Sequence, residues 1–282
     1  MGIQLPEAMA MRTLLVTTGL LALLVILFGP CIIGCGGKVD ARYQPTAPIE
    51  RWTNDEWAAV LDQLVTPDGY VRHDQLADNT NGVRDALYRY VGRINAAGPI
   101  NRPELFPTEK DKLAYYMNAY NALCMYAVVQ RNFPRNMKTS GIFFLDRFPV
   151  GGESMTLDYL EKTYLRPVDP RIHFAINCMS ASCPPLRREP YEAAKVDAQL
   201  DEQGRLFLSD PRGAIRKGDT VVLSEIFRFF TADFTTAHAK ATGQPKAELL
   251  ESIVKFAGEG SPVIGAKAYE FQEYDWTLNR PR

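Results

Sequence analysis

Histidine is scarce in this chain. There are three in 282 residues, so a His-rich metal site is excluded and no metal or other cofactor is expected. Cysteine is also sparse: five residues are too few for a disulfide scaffold. No excess of either charge exists, with 32 Lys and Arg against 33 Asp and Glu. Proteins that grip duplex nucleic acid carry a basic excess, so nucleic acid is not an expected partner. No internal repeat is visible, which removes solenoids and propellers. The composition that remains, 46% hydrophobic and 23% charged, is that of an ordinary globular body. At roughly 150 residues per domain, the length allows one large domain or two small ones.

One long apolar run is present, and it lies near the N-terminus. Residues 13–35 carry no charged side chain and follow directly on Arg12. A basic start, an apolar stretch and a small-residue end form a secretory signal. Met11-Arg12 would supply that basic start more directly than Met1 does. The run ends Ile32-Ile33-Gly34-Cys35, which resembles a bacterial lipobox with Ile in place of the usual Leu. The resemblance implies cleavage before Cys35 and acylation of its thiol. It implies a lipid-anchored body in the periplasm of a bacterial envelope. Gly36 in place of Asp favours the outer membrane. The competing reading is an uncleaved transmembrane anchor, since 23 uncharged residues can span about 30 Å of hydrocarbon. Pro30 and nearby glycines argue against a continuous helix there. The expected division is a signal over 1–34, a polar tether over 35–51 and one folded domain over 52–282.

Within that domain the periodicities predict interspersed helices and hairpins, hence an α+β fold. Trp57, Val60, Leu61 and Leu64 mark a first helix behind Thr53-Asn54-Asp55. Thr66 to Gly69 is a turn. A second helix is expected from Asn81 to Ala96. Thr108 to Gln130 is apolar nearly all round and should be a buried central helix. Ile142 to Thr156 reads as a hairpin about Gly151-Gly152, and Thr156 to Leu165 as a short helix. Arg171 to Asn177 reads as a strand and Tyr191 to Leu208 as a helix. A second hairpin turns at Lys217-Gly218-Asp219. Helices over 224–234 and 246–257 and an extended piece over 268–278 complete the chain.

Three segments carry polar groups where chemistry could sit. Asn118 and Asn121 lie three apart on one face of the central helix. As buried amides they should bond loop backbone and fix the core, or else orient a catalytic group. Arg171 to Leu186 gathers His173, Asn177, Cys178 and Cys183 at a strand end. Cys with His is the pairing for an activated thiolate. On a regular strand His173 and Cys178 point to opposite faces, so Cys183 is the better placed nucleophile. Pro184 would start a helix whose dipole lowers that thiol's pKa. A Cys178–Cys183 disulfide and two packed thiols are the alternatives. Glu161, on the short helix, is the acid expected to orient His173, with a solvated role or pairing to Arg166 as its alternative.

Together these segments resemble the DUF547 family, a domain of unassigned function found in bacterial exported proteins and in plant proteins. Its pattern is matched at Asn118 to Leu123, at Thr156, Leu157 and Glu161, and at Arg171 to Leu186. Leu223 to Phe227, Asp233-Phe234 and Tyr274 to Asn279 also look like it, so the likeness runs from about Trp52 to Asn279. The family's His after the Glu is Lys162 here, which removes one proton carrier. A Cys, His and acid set in an α+β domain with a buried helix is similar, by analogy of fold alone, to papain-like and transglutaminase-like hydrolases. The expectation is a thiol hydrolase or acyltransferase. Cys183 (or Cys178) would be the nucleophile, His173 the base, and Glu161 or Asn177 the orienting group. Peptides or small amides are the expected substrates. A non-catalytic envelope binding or structural module is the alternative. Redox chemistry is the weakest reading, since Cys-x4-Cys lacks the usual Cys-x-x-Cys spacing.

Overall fold

A computed structural model describes residues 40–281. The predicted signal, lipobox and Cys35 therefore lie outside the described residues. Among the described residues, no helix is long and apolar enough to cross a membrane.

The fold is α+β and is built around one helix. The first three helices are α1 (Asp55–Leu64), α2 (His73–Asp78) and α3 (Val83–Ala96). The central helix is α4 (Glu109–Gln130). Thr108 starts α4 with a capping box: its hydroxyl accepts from the Asp111 N–H, and the Asp111 carboxylate accepts from the Thr108 N–H. Every residue from Leu113 to Val128 is buried, so no face of α4 meets water. That is what an all-round apolar helix requires. α1 supplies Trp57, Val60, Leu61 and Leu64 to the same core, and α3 supplies Leu87, Tyr90, Val91 and Ile94.

A small antiparallel hairpin follows, β1 (Phe148–Val150) with β2 (Glu153–Met155), turning at Gly151 and Gly152, both with positive φ. Only this part of the predicted hairpin is strand; residues 142–145 form turns. Next come α5 (Leu157–Leu160), one turn of π-helix (Glu161–Leu165) and α6 (Val196–Ser209). The predicted helix from Tyr191 starts later, because Tyr191 is held as loop by Asn118, as described below. β3 (Ala214–Lys217) and β4 (Thr220–Leu223) are antiparallel, and β5 (Ala268–Phe271) adds parallel to β4. Between them run α7 (Glu225–Phe229), α8 (Thr231–Thr242) and α9 (Leu249–Val254). The helix predicted to end at Phe234 instead breaks at Phe230 and resumes to Thr242. A second core forms here around Phe174, Phe207, Phe227 and Phe234, whose rings lie 5.4–6.1 Å apart where they pair.

Two expectations need correction. Residues 40–51, expected as tether, pack on the body from Ala41 onward. Tyr43 donates to Asp85, Gln44 accepts from Asn95, and Ile49 is buried. The Tyr43 carbonyl passes so close to Gly92 that a Cβ there would sit 1.9 Å from it. The predicted strand Arg171 to Asn177 is also absent. Pro170 to Phe174 is a 3-10 turn, opened by Pro170 at its start and by Asp169 accepting from the Arg171 N–H. Without a strand, the alternation that set His173 and Cys178 on opposite faces does not apply.

Candidate functional site

Irregular backbone carries the functional side chains, and two amides of α4 hold that backbone in place. Asn118 donates to the Tyr191 carbonyl at 2.8 Å and accepts from the Tyr191 N–H at 2.9 Å. Asn121 donates to the Ala175 carbonyl at 3.1 Å and accepts from the Asn177 N–H at 2.7 Å. Both are buried. They follow the structural reading and fix the loops that flank the cysteines. Asn177 continues the scaffold: it donates to the Pro184 carbonyl at 2.7 Å and accepts from the Met179 N–H at 2.8 Å. None of these amides lines the cavity described next.

The turn from Cys178 to Cys183 is tied to the C-terminal segment. The Ala181 N–H donates to Thr277 at 2.8 Å, and the Asn279 N–H to Met179 at 2.8 Å. Met179 takes the left-handed conformation, with φ of 59°, which folds the turn back on itself. The two sulfurs thereby meet at 2.6 Å, both as free thiols. The Cys183 sulfur also accepts from the Cys178 N–H at 3.0 Å and from the Tyr274 hydroxyl at 3.4 Å, with the Ser180 hydroxyl at 3.5 Å. Burial opposes ionisation of Cys183, but the Cys178 thiol above all, then the Tyr274 and Ser180 hydroxyls and the Cys178 N–H, outweigh it and bring the thiol down to about 6. Burial and the neighbouring sulfur push Cys178 the other way. Ionisation of the pair therefore falls on Cys183 rather than on Cys178. No helix begins at Pro184; hydrogen bonds, not a helix dipole, supply the effect.

His173 is buried against Phe230, whose ring stacks on it at 3.8 Å and 16°. Its Nε2 lies 2.8 Å from Asp233 Oδ2. Arg166 grips the same carboxylate through Nε at 2.8 Å and Nη2 at 3.0 Å. That clamp and the bond to His173 hold Asp233 ionised, well below the usual carboxylate range, against the effect of burial. Burial lowers His173 despite its partner, so the ring is neutral. An ionised carboxylate only accepts. Nε2 must then carry the proton, and Nδ1 is left as the base.

Glu161 is not the group on His173. It accepts from the Tyr120 hydroxyl at 3.3 Å, and burial pushes its carboxyl up to about 7. Arg166 pairs with Asp233 instead of Glu161. The π turn inserts an extra residue just before Arg166, rotating it relative to a regular helix. Sequence reasoning thus missed Asp233 as a site residue. The available signal was the Asp233-Phe234 pair, noted as a motif but given no role, and the same holds for Tyr274.

A cavity of about 330 Å³ joins these groups. Cys178, Cys183, His173, Glu161 and Arg166 all line it, within walls that include Ile226, Phe230 and Trp276. Phe144 and Phe229, 65% and 42% exposed, stand at its mouth. Among the described residues no hydrogen bond joins His173 to either sulfur, and no group of three or more His, Cys, Asp or Glu is placed to hold a metal ion. The arrangement offers a stabilised thiolate, a neutral imidazole and a carboxyl that titrates near neutrality, all in one apolar chamber.

No curated protein and no solved structure matches this chain. A family model described as a protein of unknown function, DUF547, does match residues 105–208, a narrower range than the motifs suggest but one that includes α4, Glu161, His173 and both cysteines.

Proposed function

We propose that this cavity performs thiol chemistry on amide or ester carbonyls, as a hydrolase or acyltransferase. The observation that carries the reading is the Cys183 sulfur. Several donors stabilise its thiolate, and it faces a chamber that also holds a base and an acid. In this reading Cys183 attacks the carbonyl carbon and forms a thioester. Protonated Glu161 gives the departing amine or alkoxide its proton. His173, through Nδ1, takes the proton of the water or acceptor hydroxyl that releases the acyl group. Asp233 keeps the ring in that tautomer and Arg166 keeps Asp233 in place. The apolar walls suit an acyl or aromatic group beside the reacting bond. A lipid anchor, as expected from residues 13–35, would bring envelope peptides and small amides within reach.

One observation favours a second reading, a non-catalytic ligand cavity: His173 makes no hydrogen bond to either sulfur. Iodoacetamide labelling of the native chain against pH, read by peptide mapping, separates the two. Cys183 should label with a midpoint near 6 while Cys124, buried on α4, stays unreacted. Labelling of Cys183 only in the range of an ordinary thiol, about 8.5, would remove the nucleophile and leave the binding reading.

A further inference from the structure

We propose that Cys178 and Cys183 are a reversible redox couple, closed to a disulfide by exchange with a small-molecule or protein disulfide, and that closure switches the cavity off. The disulfide itself stands on the geometry of the turn; the switching clause rests on the thiolate reading above.

Three observations point to this. First, the backbone brings the sulfurs together before any bond exists. The Cys178 N–H donates to the Cys183 sulfur, and the turn is bound to Thr277, Asp275 and Asn279. Opening or closing the bond therefore leaves those ties in place. Second, the ring closed would span only residues 178–183. A cross-link over so short a loop removes less entropy from the unfolded chain than one over a long loop, so a structural staple accounts for the pair less well. Third, both sulfurs line the cavity, Cys178 half-buried, so a disulfide-bearing molecule entering it meets them. Ser180 and Tyr274 flank the pair at 2.9 and 3.5 Å from the Cys178 sulfur.

The chemistry balances as follows. The Cys183 thiolate attacks one sulfur of the incoming disulfide. A mixed disulfide forms and one thiolate leaves. Cys178 loses its proton and attacks the Cys183 sulfur, forming the internal bond and expelling the second thiolate. The two thiolates take up the two protons lost by the cysteines. The protein is oxidised by two electrons and the incoming disulfide is reduced to two thiols. Reversal needs only a dithiol reductant. Once closed, Cys183 has no thiolate to offer a carbonyl.

The test uses the full chain, equilibrated with oxidised and reduced glutathione at neutral pH, quenched in acid, alkylated and mapped. The expected product is a Cys178–Cys183 cross-link that dithiothreitol reverses, with Cys124 alkylated only after denaturation. In the oxidised protein, iodoacetamide labelling of Cys183 should fall at least tenfold and recover on reduction. Cys178→Ser should stop at a stable glutathione adduct on Cys183, and near-UV circular dichroism reports whether that variant is folded. If both thiols of the parent stay alkylatable after oxidised glutathione, the couple does not exist. That result leaves the acyl chemistry standing, because the pH midpoint of Cys183 iodoacetamide labelling on the reduced protein is read separately. A Cys183 labelling midpoint of about 8.5 on the reduced protein, with an intact cross-link, would instead overturn the catalytic reading and the switching clause alone.

Discussion

Asp233 decides which nitrogen of His173 holds a proton, and Arg166 decides that Asp233 stays charged. Removing either leaves a buried ring free to turn over. Glu161 is the opposite case, a carboxyl that burial keeps neutral. Its folded pKa, about 7, lies above the ordinary 4.5. The stabilisation that this represents is fully present below about pH 4.5 and is lost as pH rises through about 7. Glu161→Gln keeps the shape and an acceptor for Tyr120 without the titration. The variant should match the parent at pH 4 and exceed it at pH 8 by on the order of 1–3 kcal/mol. Thermal unfolding at the two pH values measures this. A variant no more stable than the parent at pH 8 would show that the carboxylate is solvated there.

Among the elements, α4 organises the site without touching its cavity through Asn118 or Asn121. Asn121→Ala leaves the Asn177 N–H buried and unpaired, a penalty of about 1–3 kcal/mol, and leaves the Ala175 carbonyl only its 3.5 Å bond from the Tyr191 hydroxyl. A loss of about 2–4 kcal/mol is expected in urea unfolding. The shift should come with slower Cys183 labelling, since Asn177 leads directly into the cysteine turn. An unchanged midpoint would mean that water replaces the amide. Much of this was readable beforehand. The apolar run of α4 with two asparagines three apart demanded a buried helix with bonded amides. The cysteine motif and His173 were visible as chemistry. What could not be read was long-range. Asp233 is 60 residues from His173 and Tyr274 is 91 from Cys183. Nothing local marks either as a partner. The predicted strand failed because Val, Ile or Phe alternation cannot outweigh a Pro170 and Asp169 cap that curls the backbone. Helix ends moved for similar reasons: Asn81, with φ of 52°, and Gly82, with φ of 72°, delay α3 to Val83.

On the scale of the molecule, buried His73 is one source of acid sensitivity. His73 is buried, neither of its ring nitrogens is hydrogen-bonded, and burial lowers its pKa to about 3. In the unfolded chain the same ring titrates near 6.5. As pH falls through that value the unfolded state gains a proton that the folded state refuses, so stability declines with acidification. His73→Leu should flatten the decline between pH 6 and 4 by up to about 1.4 kcal/mol per pH unit, in thermal or urea unfolding followed against pH. Equal slopes in parent and variant would place the acid sensitivity elsewhere.

The ties from the cysteine turn to Asn279 and Thr277, and from Tyr274 to the sulfur, have a consequence for timing. They join residues nearly a hundred positions apart, and contacts of that separation bear the largest loop-closure cost and form late. Until they close, Cys183 has only the local Cys178 and Ser180 groups and lacks the Tyr274 hydroxyl, so its charge is less stabilised. The Cys183 thiol thus reaches its lowest pKa only when folding is complete. A chain that is still being assembled, or one that has lost its native docking, carries a less acidic sulfur there.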